Sequence, residues 1–358
     1  MSSSSSSTRP APGYRRKPLT VACVQFDPKL GDVEGNAKRI RELTSRIQPN
    51  KIDLLVLPEM CLTGYMYKSS SEIASVLENP RTGPTATLSS ELARRCACWV
   101  VAGYPEKIQV SAGMDTTEED DVEDEDDDGE TTEQTAGIAP QGGHTGSTIG
   151  DRAEEEIVAY NSAVIVSPQG TVYDTYRKSF LFDTDKTWAK EGDGFKVLDL
   201  PEPLGRTVIG ICMDMNPKDF LAPFDAYELG NFVRKTRADL LVVPMNWLEP
   251  PGEPPLEAPP SSETEQTQDG PEMSTLNYWA HRLMPLHDPT PTYTPDGVKD
   301  VQPGKDVVFV ACNRVGTERG TTFVGTSCVM TITSSPSGID LIEAMGSKEE
   351  GVMFALVN

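Results

Sequence analysis

Long apolar runs that do not alternate with polar residues constrain this chain most. L-T-V-A-C-V-Q-F, D-L-L-V-L-P-E, C-W-V-V-A-G, T-V-I-G-I-C, A-D-L-L-V-V-P-M-N-W and V-V-F-V-A-C-N recur along the sequence. A strand with one face in water reads as alternation, so runs of this kind predict strands covered on both faces. Between them, V-E-G-N-A-K-R-I-R-E-L-T-S-R-I sets Val33, Ala37, Ile40, Leu43 and Ile47 on one helical face. A second helix is expected from Pro84, others after Met215 and over M-S-T-L-N-Y-W-A-H-R-L. Y-N-S-A-V-I-V-S, T-V-Y-D-T-Y-R-K and T-S-C-V-M-T-I-T read as further strands, giving a layered α/β domain. With 358 residues and 37% hydrophobic content, one large core with decorations is expected.

The decorations are compositional. Residues 115–135 carry thirteen acidic and no basic side chains, and setting them aside reduces the net charge from −23 to −10. Residues 109–156 and the Pro/Glu-rich 249–272 are too poor in apolar residues to offset their ordering entropy, and read as an acidic disordered insertion and an extended loop. They interrupt a single domain over 19–358, preceded by a disordered tail over 1–18. That tail lacks the amphipathic pattern of an organelle-import peptide, so a cytoplasmic or nuclear setting is expected ahead of a mitochondrial one. The acidic balance argues against nucleic acid as a partner. No run approaches the ~20 apolar residues of a membrane span. Seven scattered cysteines without a C-x-x-C pair, and three histidines, predict reduced thiols and no metal site. The long insertions favour a monomer.

Three residues carry the expected chemistry. A cysteine within an apolar strand is ordinarily a small buried hydrophobe, and Cys23, Cys312 and Cys328 are read so. Cys212 instead closes the run T-V-I-G-I-C, where a strand passes into a turn expected to open a helix. Glu59 closes D-L-L-V-L-P-E, where burial would raise its carboxyl toward neutrality, and Lys178 follows T-V-Y-D-T-Y-R. Taken singly, each has an ordinary structural reading: a capping carboxylate, a strand-edge lysine. Together, a base, a cation and a thiol at strand ends suggest cysteine-dependent amide hydrolysis.

The segments L-P-E-M-C-L-T-G-Y, Y-R-K-S-F-L-F-D and G-I-C-M-D-M, in that order, are similar to the three signature segments of the nitrilase/amidase (carbon-nitrogen hydrolase) superfamily. The similarity runs from about Leu19 to about Ile332, with both insertions outside it. Within it, the strings Y-R-K-S-F-L-F-D-T-D-K-T-W, G-I-C-M-D-M-N-P-K-D-F-L-A-P-F, P-M-N-W-L, M-S-T-L-N-Y-W and N-R-V-G-T-E-R-G-T-T-F-V-G-T-S resemble the fungal protein N-terminal amidase family. That resemblance implies a four-layer α-β-β-α sandwich that works without cofactor or metal. It also implies an enzyme that deamidates N-terminal Asn and Gln of proteins and peptides and feeds an N-degron pathway.

The resemblance further implies Cys212 as nucleophile, Glu59 as general base and acid, and Lys178 with the Met213 N–H beside the developing oxyanion. A second glutamate of the superfamily falls on Glu191, though its spacing from Lys178 is short. An acid must meet the substrate's α-ammonium, and Asp214 or Glu318 is expected there, although Asp214 could equally cap the turn after Cys212. Asn246 and Trp247, at another strand end, are expected in the pocket. The alternatives are a small-molecule amidase of the ω-amidase type, which needs an enclosed site for a second carboxylate, and a catalytically silent scaffold.

Overall fold

A computed structural model describes residues 17–111, 155–250, 270–287 and 304–358. The first half supplies β1 (Leu19–Gln25), α1 (Val33–Thr44), β2 (Leu54–Val56), α2 (Ser70–Ile73), α3 (Pro84–Cys96), β3 (Trp99–Ser111), β4 (Glu155–Val166) and β5 (Val172–Arg177). The second supplies β6 (Lys196–Asp199), β7 (Arg206–Ile209), α4 (Glu228–Thr236), β8 (Leu240–Pro244), α5 (Met273–Arg282), α6 (Met284–His287) and β9 (Val307–Cys312). β10 (Thr317–Glu318), β11 (Thr321–Thr322), β12 (Cys328–Ser334), β13 (Ser337–Ala344) and β14 (Gly351–Val357) complete the chain.

Two six-stranded sheets result, in the orders β14-β1-β2-β3-β4-β5 and β13-β12-β9-β8-β7-β6. Their centres are parallel, β1 to β2 to β3 and β7 to β8 to β9, with antiparallel strands outside. The continuous apolar runs are explained by what covers each face. In β1, Val21 and Cys23 join the core shared with Val208, Phe309 and Val329 of the other sheet, while Ala22 and Val24 pack against Ile40 of α1 and Leu92 of α3. Leu229 and Val233 of α4 and Leu276 and Trp279 of α5 cover the second sheet. The result is the expected four-layer α-β-β-α sandwich, each fully buried Val, Leu or Ile worth ~1.5–3 kcal/mol.

Three elements depart from the sequence reading. No α-helix follows Met215: Pro217 and Pro223 break the segment, and α4 begins only at Glu228. β13 and β14 stand outside the expected strands: β13 mixes apolar with exposed polar positions, and β14, although apolar from Val352 to Val357, turns Phe354 and Leu356 outward. By internal contacts the chain divides into Gln109–Val158, whose described part is the outer ends of β3 and β4, and the remainder. The expected tail, acidic insertion and Pro/Glu-rich loop fall almost entirely outside the described residues. Among the described residues no helix is long and apolar enough to cross a membrane.

Candidate active site

Four chain reversals at strand ends converge. Glu59 lies three residues beyond β2, Lys178 directly after β5, Cys212 three beyond β7 and Asn246 two beyond β8. Gly103 of β3 lets the backbone close around Glu59, since a Cβ there would stand 2.4 Å from the Glu59 Cα. Cys212 opens a single 3-10 turn, Cys212–Met215, with a left-handed φ of 40°, a strained setting for a residue other than glycine.

Lys178 is fully buried, and its Nζ donates to Glu59 Oε1 at 2.7 Å and to Asp185 Oδ2 at 2.6 Å. Asn161 Nδ2 bridges the same carboxylates, at 2.7 Å and 2.9 Å, and the Phe182 N–H donates to Asp185 at 3.0 Å. Removing these charges from water is costly, and the close pairing offsets that cost. Two carboxylates around one ammonium leave a net charge of −1. Glu59 Oε2 is buried with no hydrogen-bond partner, which leaves one oxygen of the pair free to take a proton.

Burial raises the Glu59 carboxyl; the Lys178 ammonium opposes the rise and the Asp185 charge adds to it. Burial lowers Lys178, but the Asp185 and Glu59 carboxylates outweigh it and keep the amine protonated. Burial and the Glu59 charge hold the Cys212 thiol well above its ordinary range, with Lys178 and the Asn246 backbone N–H pulling the other way. The sulfur therefore rests as a thiol, and a base must take its proton before it can attack.

Cys212 and Met213 line a cavity of about 500 Å³ with Tyr65, Asn216, Asn246, Trp247, Thr275 and Tyr278. The Tyr65 ring lies 5.8 Å from the Lys178 ammonium. Asn246 is 2% exposed, and neither of its carboxamide polar atoms has a partner. Trp247 is held by its N–H to Asn313 Oδ1 at 2.9 Å, and its ring packs on Tyr278.

The structure separates the remaining sequence candidates from this group. The Glu191 carboxylate is exposed and pairs with Lys218 at 2.9 Å; the carboxylate beside Lys178 belongs to Asp185. Asp214 is buried but engaged, accepting from Ile211 N–H, Tyr176 O–H, Ser179 N–H and Phe180 N–H, so it joins the nucleophile turn to the segment after Lys178. Burial raises its carboxyl to about 6, against the Ile211, Tyr176 and Phe180 donors and the Lys178 charge. Glu318 accepts from the N–H groups of Tyr65 and Met66 and pairs with Arg314 at 2.7 Å, fixing the Tyr65 loop. Neither acid is left for an α-ammonium. Glu249, at the cavity rim, is the acid among the described lining residues. Sequence reasoning missed Asp185, Asn161, Tyr65 and Glu249; the signal for Asp185 was its place in the string F-D-T-D-K-T-W.

Fold and cluster define a class, an α/β sandwich hydrolase with thiol, carboxylate and ammonium grouped at strand ends. The chain belongs to the carbon-nitrogen hydrolase family, whose model matches residues 20–222. It is 31% identical over 327 residues to protein N-terminal amidase of Schizosaccharomyces pombe, covering 87% of this chain and 91% of that protein. Two crystal structures of N-terminal amidase, one with an Asn-Glu peptide and one with a Gln-Val peptide, superpose with TM-scores of 0.68 at 21% identity. The matches cover 95% of this chain and 97% and 99% of theirs.

Proposed function

We propose that this chain is a protein N-terminal amidase, converting N-terminal Asn and Gln to Asp and Glu with release of ammonia. The observation that carries the choice of substrate is the charge of the cavity. Its described lining holds no Lys or Arg to meet the free carboxylate at the far end of an ω-amidase substrate, and its one acid, Glu249, suits an α-ammonium. The kinship with N-terminal amidase of Schizosaccharomyces pombe supports the same reading.

In the proposed reaction the free Oε2 of Glu59 takes the Cys212 proton as sulfur attacks the carboxamide carbon. Lys178 uses two of its three N–H donors on carboxylates, leaving the third for the developing oxyanion beside the Met213 N–H. Collapse of the tetrahedral intermediate breaks the C–N bond, Glu59 returns the proton to the departing ammonia, and a thioester forms. Glu59 then deprotonates the water that hydrolyses it. The unpartnered carboxamide of Asn246 is complementary to the amide groups of the substrate's first residue, and Trp247 walls it. The products, proteins with acidic N-termini, would feed an N-degron pathway.

The test is ammonia release from Asn- and Gln-peptides with free and acetylated N-termini. Release from free peptides alone, abolished in Cys212→Ala and with KM raised in Glu249→Gln, is the expected result. Release only from small free amides overturns the assignment.

A further inference from the structure

The segment from Pro217 to Ala226 follows the nucleophile turn and carries three exposed large apolar side chains, Phe220 at 57%, Leu221 at 87% and Phe224 at 46%. Exposed apolar side chains gathered on one short segment mark a surface that meets something. Phe220 lines the cavity that holds Cys212, its ring edge-on to Phe182 with centroids 6.4 Å apart. Phe224 packs edge-on against Tyr278, another cavity residue, at 5.9 Å. Leu248 and Pro250 also line the cavity.

The backbone here is held in an unfavourable form. Asp219 and Phe220 are consecutive non-glycine residues, both with φ of 55°. Such conformations persist where the surroundings enforce them. Two ion pairs tie the segment to the stretch after Lys178, Asp219 with Lys186 at 2.8 Å and Lys218 with Glu191 at 2.9 Å, while the Lys218 ammonium sits 5.7 Å over the Phe180 ring and Phe220 packs on Phe182. Phe220 is thereby fixed at the cavity wall and Leu221 beside it in solvent.

We propose that this strap is the subsite for the second residue of the substrate chain, and that it favours an apolar side chain there. The inference rests on the N-terminal amidase reading. A peptide whose first carboxamide meets the Cys212 sulfur must leave the cavity across its rim, and Phe220 belongs both to that cavity and to the exposed apolar strap. Burying an aliphatic side chain of the second residue against Phe220 and Leu221 removes apolar surface of both partners from water.

The experiment compares ammonia release from Asn-Leu-Ala-Ala, Asn-Gly-Ala-Ala and Asn-Asp-Ala-Ala, all with free N-termini. Wild type is expected to favour Leu over Asp by about tenfold in kcat/KM, within the range for a side chain read by an apolar site. In the doubly substituted Phe220→Ala, Leu221→Ser protein that ratio should fall to near one, and Leu221→Asp should shift preference toward Asn-Lys-Ala-Ala. Because each ratio is taken within one protein, partial loss of folded enzyme does not mimic the result. Equal turnover of all second residues by wild type, or an undiminished ratio in the double variant, overturns the subsite alone. No release from any peptide overturns the N-terminal amidase reading and the subsite with it.

Discussion

Asp185→Asn tests the buried charge cluster most directly, because it changes charge with little change of shape. Lys178 Nζ lies 2.7 Å from Glu59 Oε1 and 2.6 Å from Asp185 Oδ2, so those oxygens are at most about 5 Å apart. Two unit charges at that separation repel by ~3 kcal/mol at the effective dielectric of ~20 that describes buried sites. Part of what holds the Glu59 carboxyl up is this repulsion. With Asn in place of Asp185, the Glu59 carboxyl falls and becomes a weaker base. The acid limb of kcat/KM against pH should therefore move to lower pH, while its plateau drops. If half the ~3 kcal/mol is felt in the transition state, kcat falls ~tenfold. Lys178 keeps Glu59 as partner, so the variant should fold, which a thermal melt checks. A folded variant whose limb stays in place, or moves to higher pH, refutes the argument that Asp185 sets the basicity of Glu59.

Other perturbations separate positioning from chemistry. Asp214→Asn leaves fewer acceptors for four buried donors, so stability should drop by on the order of 3 kcal/mol and kcat should fall more than KM rises; loss confined to KM would contradict a positioning role. Glu191→Gln removes an exposed ion pair worth ~0–1 kcal/mol, and turnover of Asn-Gly peptides should stay within about twofold of wild type; a collapse in kcat would return Glu191 to the site. Burial raises Glu78 from its ordinary 4.5 to about 7, against hydrogen bonds from the Thr85 N–H and hydroxyl. Between those values the folded protein holds a proton that the unfolded chain has released, so stability falls as pH rises through the window. Asp214 and Glu59, raised likewise, add to the fall, so Glu78→Gln should reduce it by on the order of 3 kcal/mol rather than remove it, in urea midpoints compared below and above the window; an unchanged slope excludes Glu78 as a source.

The sandwich was legible because covering both faces of a strand leaves an unmistakable trace in sequence. β1, β8 and β9 are buried along nearly their whole length, and no alternating pattern could disguise them. β13 was obscured because its face in water sets Gly338, Asp340 and Glu343 among its apolar residues, whereas the apolar run of β14 was there to be read. Glu59, Lys178 and Cys212 stood out for a related reason. Each follows a buried run that delivers its last residues to the sandwich edge, and although each alone has an ordinary structural reading, a base, a cation and a thiol placed so together do not.

The companions of those three residues were harder to read, and Asp185 against Glu191 shows why. Both acids follow Lys178 within one short stretch, and one 3-10 turn, Asp185–Thr187, decides which carboxylate faces the ammonium. Neighbouring Asp183, two residues away, is exposed. Spacing along the chain carries no information about such a turn. The same holds for the acids assigned to an α-ammonium. What removes Asp214 from that role is donation from Ser179, 35 residues away, and what removes Glu318 is donation from Tyr65, 253 residues away. A buried carboxylate is available to a ligand only if the fold has not already filled its lone pairs, and those donors are backbone N–H groups that every residue type but proline carries. Composition and motif can locate a carboxylate in a site. The donors that reach it decide whether it binds, reacts or holds other residues in place.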